Sequence, residues 1–322
     1  MMQRVLQRFG LVLCVASLGL LAACGGSDDD AAATPAAVSP KTVVEVAQSS
    51  PDFSVLVEAV VAADLAGTLG GAGPYTVFAP TNAAFAALLS ELGLTKEQLL
   101  ADKALLTAVL QYHVLPGRVK KVDVPLGQAL TPLAGGVFKV EADSAGTLAV
   151  TDGRNRKATI TATDVLADNG VVHVIDKVLL PADKTIVATA QALSDFSILV
   201  EAVVAAGLVD TLNGAGPFTV FAPTNQAFAD LLGELHLSKE QLLADTPLLT
   251  QVLTYHVVPG RVLKAAVPIA QPITSVQGGT FTVGADLKIT DQRHRSSGLV
   301  RTDVFASNGV IHVIDKVLLP AP

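Results

Sequence analysis

The side chains best suited to acid–base or metal chemistry are six histidines: His113, His173, His236, His256, His294 and His312. Imidazole changes charge near neutrality and is a common metal ligand. No two of the six stand at the few-residue spacing that zinc sites use, so no metal site is expected. Four of them form equivalent pairs: His113 and His256 each follow a tyrosine (Tyr112, Tyr255), and His173 and His312 each sit among valines. A half-buried imidazole bonded to backbone accounts for such positions. The chain has no Gly-x-Ser-x-Gly elbow, no Gly-x-x-x-x-Gly-Lys loop and no His-Glu-x-x-His pair. The glycine run Gly70–Gly73 precedes a β-rich segment instead of opening a helix, which makes it a turn and not a phosphate cradle. No enzyme active site and no cofactor are expected.

The two cysteines, Cys14 and Cys24, point to different chemistry. Arg4 and Arg8 precede an apolar stretch, Phe9 to Leu21, too short to span a bilayer. It ends in Leu21-Ala22-Ala23-Cys24, which resembles a bacterial lipobox: residues 1–23 leave as a signal peptide and Cys24 is acylated. Several acyl chains on one residue suffice for stable anchoring. Cys24 is then the single cysteine of the mature chain, so no disulfide framework is possible. Residues 24–40, small, acidic and proline-containing, read as a flexible tether. Gly25 lacks the aspartate that retains some lipoproteins at an inner membrane, which favours an outer-membrane or surface location in the cell envelope.

What must position the histidines is a duplicated unit. From Pro51 to Pro80, 23 of 30 positions are identical to those 143 residues later. From Thr151, paired with Thr290, the offset becomes 139, so four residues were lost between Asp143 and Thr151. Two domains, 41–181 and 184–320, follow, joined by the short Pro181-Ala182-Asp183 link.

Within each unit, helical periodicity comes first and strand alternation second. Phe53, Leu56, Val57, Val60 and Val61 fall on one helix face. Pro74–Ala79 is a short strand, and Thr81 or Asn82 caps a helix carrying Phe85, Leu88 and Leu89 inward. Thr95-Lys96-Glu97-Gln98 and Ser238-Lys239-Glu240-Gln241 fit capping boxes. After Pro116-Gly117 the pattern turns to strands: residues 137–140, 148–151, 158–163 and 171–175. Asn169-Gly170 and Asn308-Gly309 signal hairpins. The fold class is α+β, with an antiparallel sheet.

Three segments in each unit resemble the fasciclin domain family. Thr76–Phe85 (TVFAPTNAAF) looks like its first signature, Tyr112-His113 with Pro116-Gly117 like its tyrosine–histidine segment, and Asn169–Pro181 like its second signature. The second unit repeats them at Thr219–Phe228, Tyr255-His256 with Pro259-Gly260, and Asn308–Pro320. The resemblance implies two β-sheet wedges packed with several helices, and extracellular adhesion or matrix association. It also implies partner-recognition residues: Tyr112, His113, Tyr255 and His256, and the Asp-Ile pair of some relatives, matched here by Asp164-Val165 and Asp303-Val304. For the aspartates, a turn carboxylate satisfying backbone amides is the alternative.

Each unit also carries a basic loop, Asp152-Gly153-Arg154-Asn155-Arg156-Lys157 and Asp291-Gln292-Arg293-His294-Arg295, able to meet anionic polysaccharide or phospholipid headgroups, or simply solvated. The formal net charge of −7 argues against nucleic acid as a partner. Beyond the acyl anchor no membrane contact is inferred. The function expected is adhesion to cell-surface or matrix proteins or polysaccharides, with two copies giving avidity. The alternative that the resemblance implies, since some fasciclin-like proteins bind carotenoids, is a carrier for a hydrophobic small molecule such as a carotenoid or lipid; the apolar half of the residues could line a pocket or equally build two ordinary cores.

Overall fold

The computed structural model describes residues 41–322. The expected signal peptide (1–23), Cys24 and the tether (24–40) lie outside the described residues.

In the first repeat, α1 (Val43–Gln48), α2 (Ser54–Ala62) and α3 (Ala66–Leu69) lead into β1 (Tyr75–Pro80). Then come α4 (Asn82–Leu92), α5 (Lys96–Ala101) and α6 (Lys103–Tyr112), and the strands β2 (Val114–Pro116), β3 (Lys139–Ala142), β4 (Leu148–Thr151), β5 (Lys157–Ala167) and β6 (Gly170–Ile175). The second repeat follows the same order. Its helices are α7 (Ile186–Gln191), α8 (Ser197–Ala205), α9 (Val209–Asn213), α10 (Asn225–Leu235), α11 (Lys239–Ala244) and α12 (Thr246–Tyr255). Its strands are β7 (Phe218–Pro223), β8 (Val257–Pro259), β9 (Pro272–Thr274), β10 (Thr280–Val283), β11 (Lys288–Thr290), β12 (Ser296–Ala306) and β13 (Gly309–Ile314). The four-residue loss falls in a hairpin: Val140 pairs with Val150, whereas its counterpart Val283 pairs with Ile289.

Side-chain oxygens set the helix starts. Both capping boxes form, Thr95 with Gln98 and Ser238 with Gln241. Thr81 caps α4 by accepting from Ala84 N at 3.3 Å. Asn82 is thereby left to bond elsewhere. Its Oδ1 accepts from Val55 N at 3.0 Å and its Nδ2 donates to the Pro51 carbonyl at 2.9 Å, which fastens α4 to the start of α2. The buried face of α2 is Leu56, Ala59 and Val60, following Phe53. Val61, expected inward, is 61% exposed, because the helix turns Ala59 rather than Val61 onto the core.

The sheets are mixed, not antiparallel as the strand pattern suggests. The order is β2-β1-β6-β5-β4-β3, and β1 runs parallel to β6, with Tyr75 opposite Gly170 and Pro80 opposite Ile175. The second repeat keeps this pairing, with β7 parallel to β13, and adds β9 beyond β10 as a seventh strand. A parallel pair needs a long crossover. Helices α4–α6 begin the connection between β1 and β6, and the other strands complete it. Each sheet is buried on both faces. One face meets the helices through Phe53, Leu56, Phe85, Leu106 and Val172. The other curls over an aromatic cluster, where Phe78 and Phe138 meet edge to face at 5.2 Å.

The Asn-Gly signals do mark hairpins, but for a different reason. In β5–β6 the turn residues are Asp168 and Asn169, since Ala167 pairs with Gly170. Asn169 is buried and staples three segments: Oδ1 accepts from Val43 N at 2.8 Å, while Nδ2 donates to the Leu69 and Gly71 carbonyls at 2.8 and 2.7 Å. Gly73 lies against it with φ +51°, where a Cβ would fall 2.2 Å from the Asn169 carbonyl oxygen. Asn308 repeats the staple with Ile186, Leu212 and Gly214.

Candidate functional site

The recurring histidines are clasps inside the fold. His113 ends α6, where its Nδ1 lies 2.7 Å from the Val109 carbonyl and its Nε2 accepts from Leu179 N at 2.8 Å. A carbonyl can only accept and an N–H can only donate, so the ring is the neutral Nδ1–H tautomer. His256 repeats both bonds with Val252 and Leu318. Burial pushes both rings down to about 4. His173 uses the other tautomer: its Nε2 donates to the Val119 carbonyl at 2.9 Å and its Nδ1 accepts from Asp164 N at 3.3 Å. His312 does the same with Val262 and Asp303. With both nitrogens engaged, none of the four keeps a free lone pair for a metal. Among the described residues no group of three His, Cys, Asp or Glu could hold a metal ion.

The tyrosines are equally interior. Tyr112 and Tyr255 are 0% exposed, and their hydroxyls donate to the Val137 and Thr280 carbonyls. Burial raises the Tyr112 phenol, with the charge of Asp152 adding to it, and pushes Tyr255 up to about 12. As partner contacts, Tyr112, His113, Tyr255 and His256 are therefore corrected: side chains sealed beneath the sheet offer a partner no surface. They join the end of the helical layer to the loops that follow it.

The aspartate pairs sit on a β-bulge, which bends β5 and β12 at register shifts. Asp164 and Asp303 both have φ 59°, the left-handed region that aspartate tolerates better than most residues. Their Oδ1 atoms accept from Lys121 N and Lys264 N at 2.8 and 2.7 Å, holding short 3-10 turns, Lys121–Asp123 and Lys264–Ala266.

There the equivalence ends. In the first repeat this face is open: Val122 is 86% exposed, Leu166 61% and Val165 37%. In the second it is covered by the first repeat. Asp303 and Val304 are buried, which corrects their reading as partner contacts. Asp303 Oδ2 receives Lys139 Nζ at 2.8 Å, and the same ammonium reaches Glu141 Oε1 at 2.7 Å. Burial opposes the charge on Lys139, but the two carboxylates outweigh it and its pKa is raised. Asn155, at φ +63°, uses its side-chain amide as a strand would use its backbone: Oδ1 accepts from Phe305 N at 2.6 Å and Nδ2 donates to Phe305 O at 3.1 Å. Val137, Leu263, Phe305 and Val310 form the apolar part of this junction.

The basic loops are partly structural. Asp152 is 1% exposed and accepts from Arg154 N, Arg156 N, the Arg156 guanidinium and Leu180 N. Asp291 plays that part in the second repeat, toward Arg293, Arg295 and Leu319. Arg156 and Arg295 also donate inward, to the Val178 and Val317 carbonyls, and outward to Glu91 and Glu234. Sequence reasoning named Asp152, Asn155 and Asp291 only as parts of the basic loops, without their structural roles, and missed the role of Lys139. Lys139 and Asn155 carry a legible signal, since the second unit has Thr282 and His294 in their places.

A fasciclin-domain profile matches residues 51–181 and again 194–320. Protein sll1483 of Synechocystis is 47% identical over 143 residues, 44% of this chain and 73% of that protein. Transforming growth factor-beta-induced protein ig-h3 of Sus scrofa is 31% identical over 252 residues, 78% of this chain and 35% of its own length. Cell surface glycolipoprotein MPB83 of Mycobacterium bovis is 41% identical over 118 residues, 35% of this chain and 48% of that protein. The chain thus spans about a third of ig-h3 and about half of MPB83. Fasciclin-domain proteins are adhesion proteins and not enzymes. Matched along nearly the whole of both repeats, the chain belongs to the fasciclin-domain family.

Proposed function

We propose that this chain is a secreted, cell-envelope adhesion or matrix-interaction protein, anchored by lipid on Cys24, which works through the open bulge face of its first repeat. The observation that carries the reading is the unequal fate of two equivalent faces. Asp303, Val304 and Phe305 are spent on the first repeat, while Asp164, Val165 and Leu166 remain at the surface beside Val122. A contiguous apolar patch rimmed by charge is the usual form of an interaction site. The partners are cell-surface or matrix proteins or polysaccharides. A surface location accords with the name of the mycobacterial relative. Among the described residues no helix is long and apolar enough to cross a membrane, so attachment would rest on the acyl group.

The carrier reading draws less support. The apolar cavities beside His113 and His256 measure about 40 and 30 Å³, near the ~30 Å³ share of one water molecule. A larger apolar cleft of about 260 Å³, between Phe228, Leu248 and Leu319, is still below the ~300–1,000 Å³ of usual small-molecule sites.

The test is surface attachment of a deletion strain complemented with the wild type, with Cys24→Ser, or with Val122→Asp and Leu166→Asp together. Attachment should return with the wild type alone, and Cys24→Ser should appear soluble and folded. Attachment that is unchanged by the deletion would refute the adhesion reading. Membrane retention of Cys24→Ser would refute the anchor.

A further inference from the structure

Between the two repeats lies a cleft of about 460 Å³, within the usual range for small-ligand sites. Its walls come from both repeats and from the link. The lining includes Glu91, Arg154 and Arg156 of the first repeat, Asp183 of the link with Lys184 directly after it, and Arg301 of β12. Four cations thus face two carboxylates, within a chain whose formal charge is −7.

The carboxylates are already committed. Glu91 pairs with Arg156 at 2.9 Å, and Asp183 with Arg154 at 3.0 Å. Arg301 and Lys184 are exposed, and among the described residues neither side chain has an ion-pair or hydrogen-bond partner. Two uncompensated cations across one concave site focus a positive potential where the rest of the chain is negative. The apolar lining that solvent reaches is Ala192 and Leu193, while Val304 and Phe305 border the cleft at only 3% and 2% exposure.

The geometry points to an anion-bearing saccharide as the ligand of this cleft: a short run of an acidic polysaccharide carrying carboxylate or sulfate groups. The charged groups meet Arg301 and Lys184, sugar hydroxyls donate to the outer oxygens of Glu91 and Asp183, and the C–H face of a ring lies on that apolar lining. A lone inorganic anion would leave most of the volume unused. A nucleotide would find no exposed aromatic ring to stack on, since Phe305 is 2% exposed. The proposal names a ligand class within the adhesion reading and rests on it for biological meaning, but it concerns a separate surface from the Asp164 face.

The test is calorimetric titration of the purified full-length chain with a uronate hexamer, a sulfated hexamer, a neutral hexamer and inorganic phosphate. A charged hexamer should bind, and added salt should weaken it. Arg301→Glu with Lys184→Glu should reduce the affinity about tenfold or more, since two charge contacts are lost and replaced by repulsion. Arg301→Gln with Lys184→Gln should give a smaller loss, and unfolding midpoints should stay unchanged in both. Equal binding of the neutral hexamer, phosphate binding as tight as either charged hexamer, or unchanged affinity in the Glu variant would each overturn the proposal. Because binding is read on purified protein, its failure leaves the adhesion reading to be decided by the deletion strain.

Discussion

Replacing Lys139 by Met tests whether a buried charge fixes the two repeats together. Methionine keeps the aliphatic stem and removes the ammonium that lies 2.8 Å from Asp303 Oδ2. The two side chains are 6% and 3% exposed, so little solvent screening applies. Glu141, at 41%, can return to water; Asp303 cannot, and keeps only the Lys264 amide. Stranding one member of a buried pair costs about 3–5 kcal/mol. The cost falls on the docked arrangement, since neither repeat's own core contains the pair. About two to almost four decades in the docking equilibrium should therefore be lost. Amide exchange at Phe305 reads this directly, because its N–H is held by Asn155 across the junction. Protection there should fall by about a hundredfold or more, while the Val171–Val172 amides of the first repeat hold. A second change, Asp303→Asn, should restore most of the protection. Asparagine tolerates φ 59° and can still accept from Lys264 N, but carries no charge to strand. Unchanged exchange at Phe305 in the single variant, or no recovery in the double, would refute the reasoning.

Acid should weaken each repeat through its clasp histidine. Burial holds His113 and His256 at about 4. The unfolded chain takes up these protons near pH 6.5 and the folded chain does not. Their contribution is complete above 6.5 and is lost as pH falls toward 4. The loss is about 3 kcal/mol per site by pH 4, converting the shift at 1.36 kcal/mol per unit. Denaturant midpoints that stay flat from pH 7 to 4.5 would contradict this. Asn169→Ala should destabilise the first repeat by about 3 kcal/mol, since Val43 N and the Leu69 and Gly71 carbonyls lose their partner together. A cost below about 1 kcal/mol in urea unfolding would mean that water replaces the amide.

Much of the local structure was legible because its causes are local. A threonine three residues before a glutamine writes its own helix start, and both capping boxes formed where that spacing placed them. The duplication fixed what had to be equivalent. What escaped was whatever depends on a distant partner. Alternation marks residues 171–175 as a strand without saying that Tyr75–Pro80 lies parallel beside it. Asp164 and Asp303 have the same bulge and the same φ, yet one face is open and the other is closed by Lys139, 164 residues away. For the tyrosine–histidine segment, the imidazole bonded to backbone that its setting suggested is present, whereas the partner contact implied by the family resemblance fails, because each polar tip is satisfied by a backbone group brought in from elsewhere in the fold.

The junction between the repeats joins unlike surfaces, and such a joint carries its own propensity to propagate. A head-to-tail contact between equivalent units, repeated, builds a filament unless something interrupts it. Here the interruption lies in the side chains of the two unused ends. The free bulge face of the first repeat has Lys120 where the joined face has Leu263, and the free counterpart on the second has Thr282 and His294 in place of Lys139 and Asn155. A unit arriving at the second repeat's free end would meet neither the ammonium nor the amide that makes the joint, and one arriving at the first repeat's free face would meet Lys120 in place of Leu263. The joint as built is specific to this one pair of repeats.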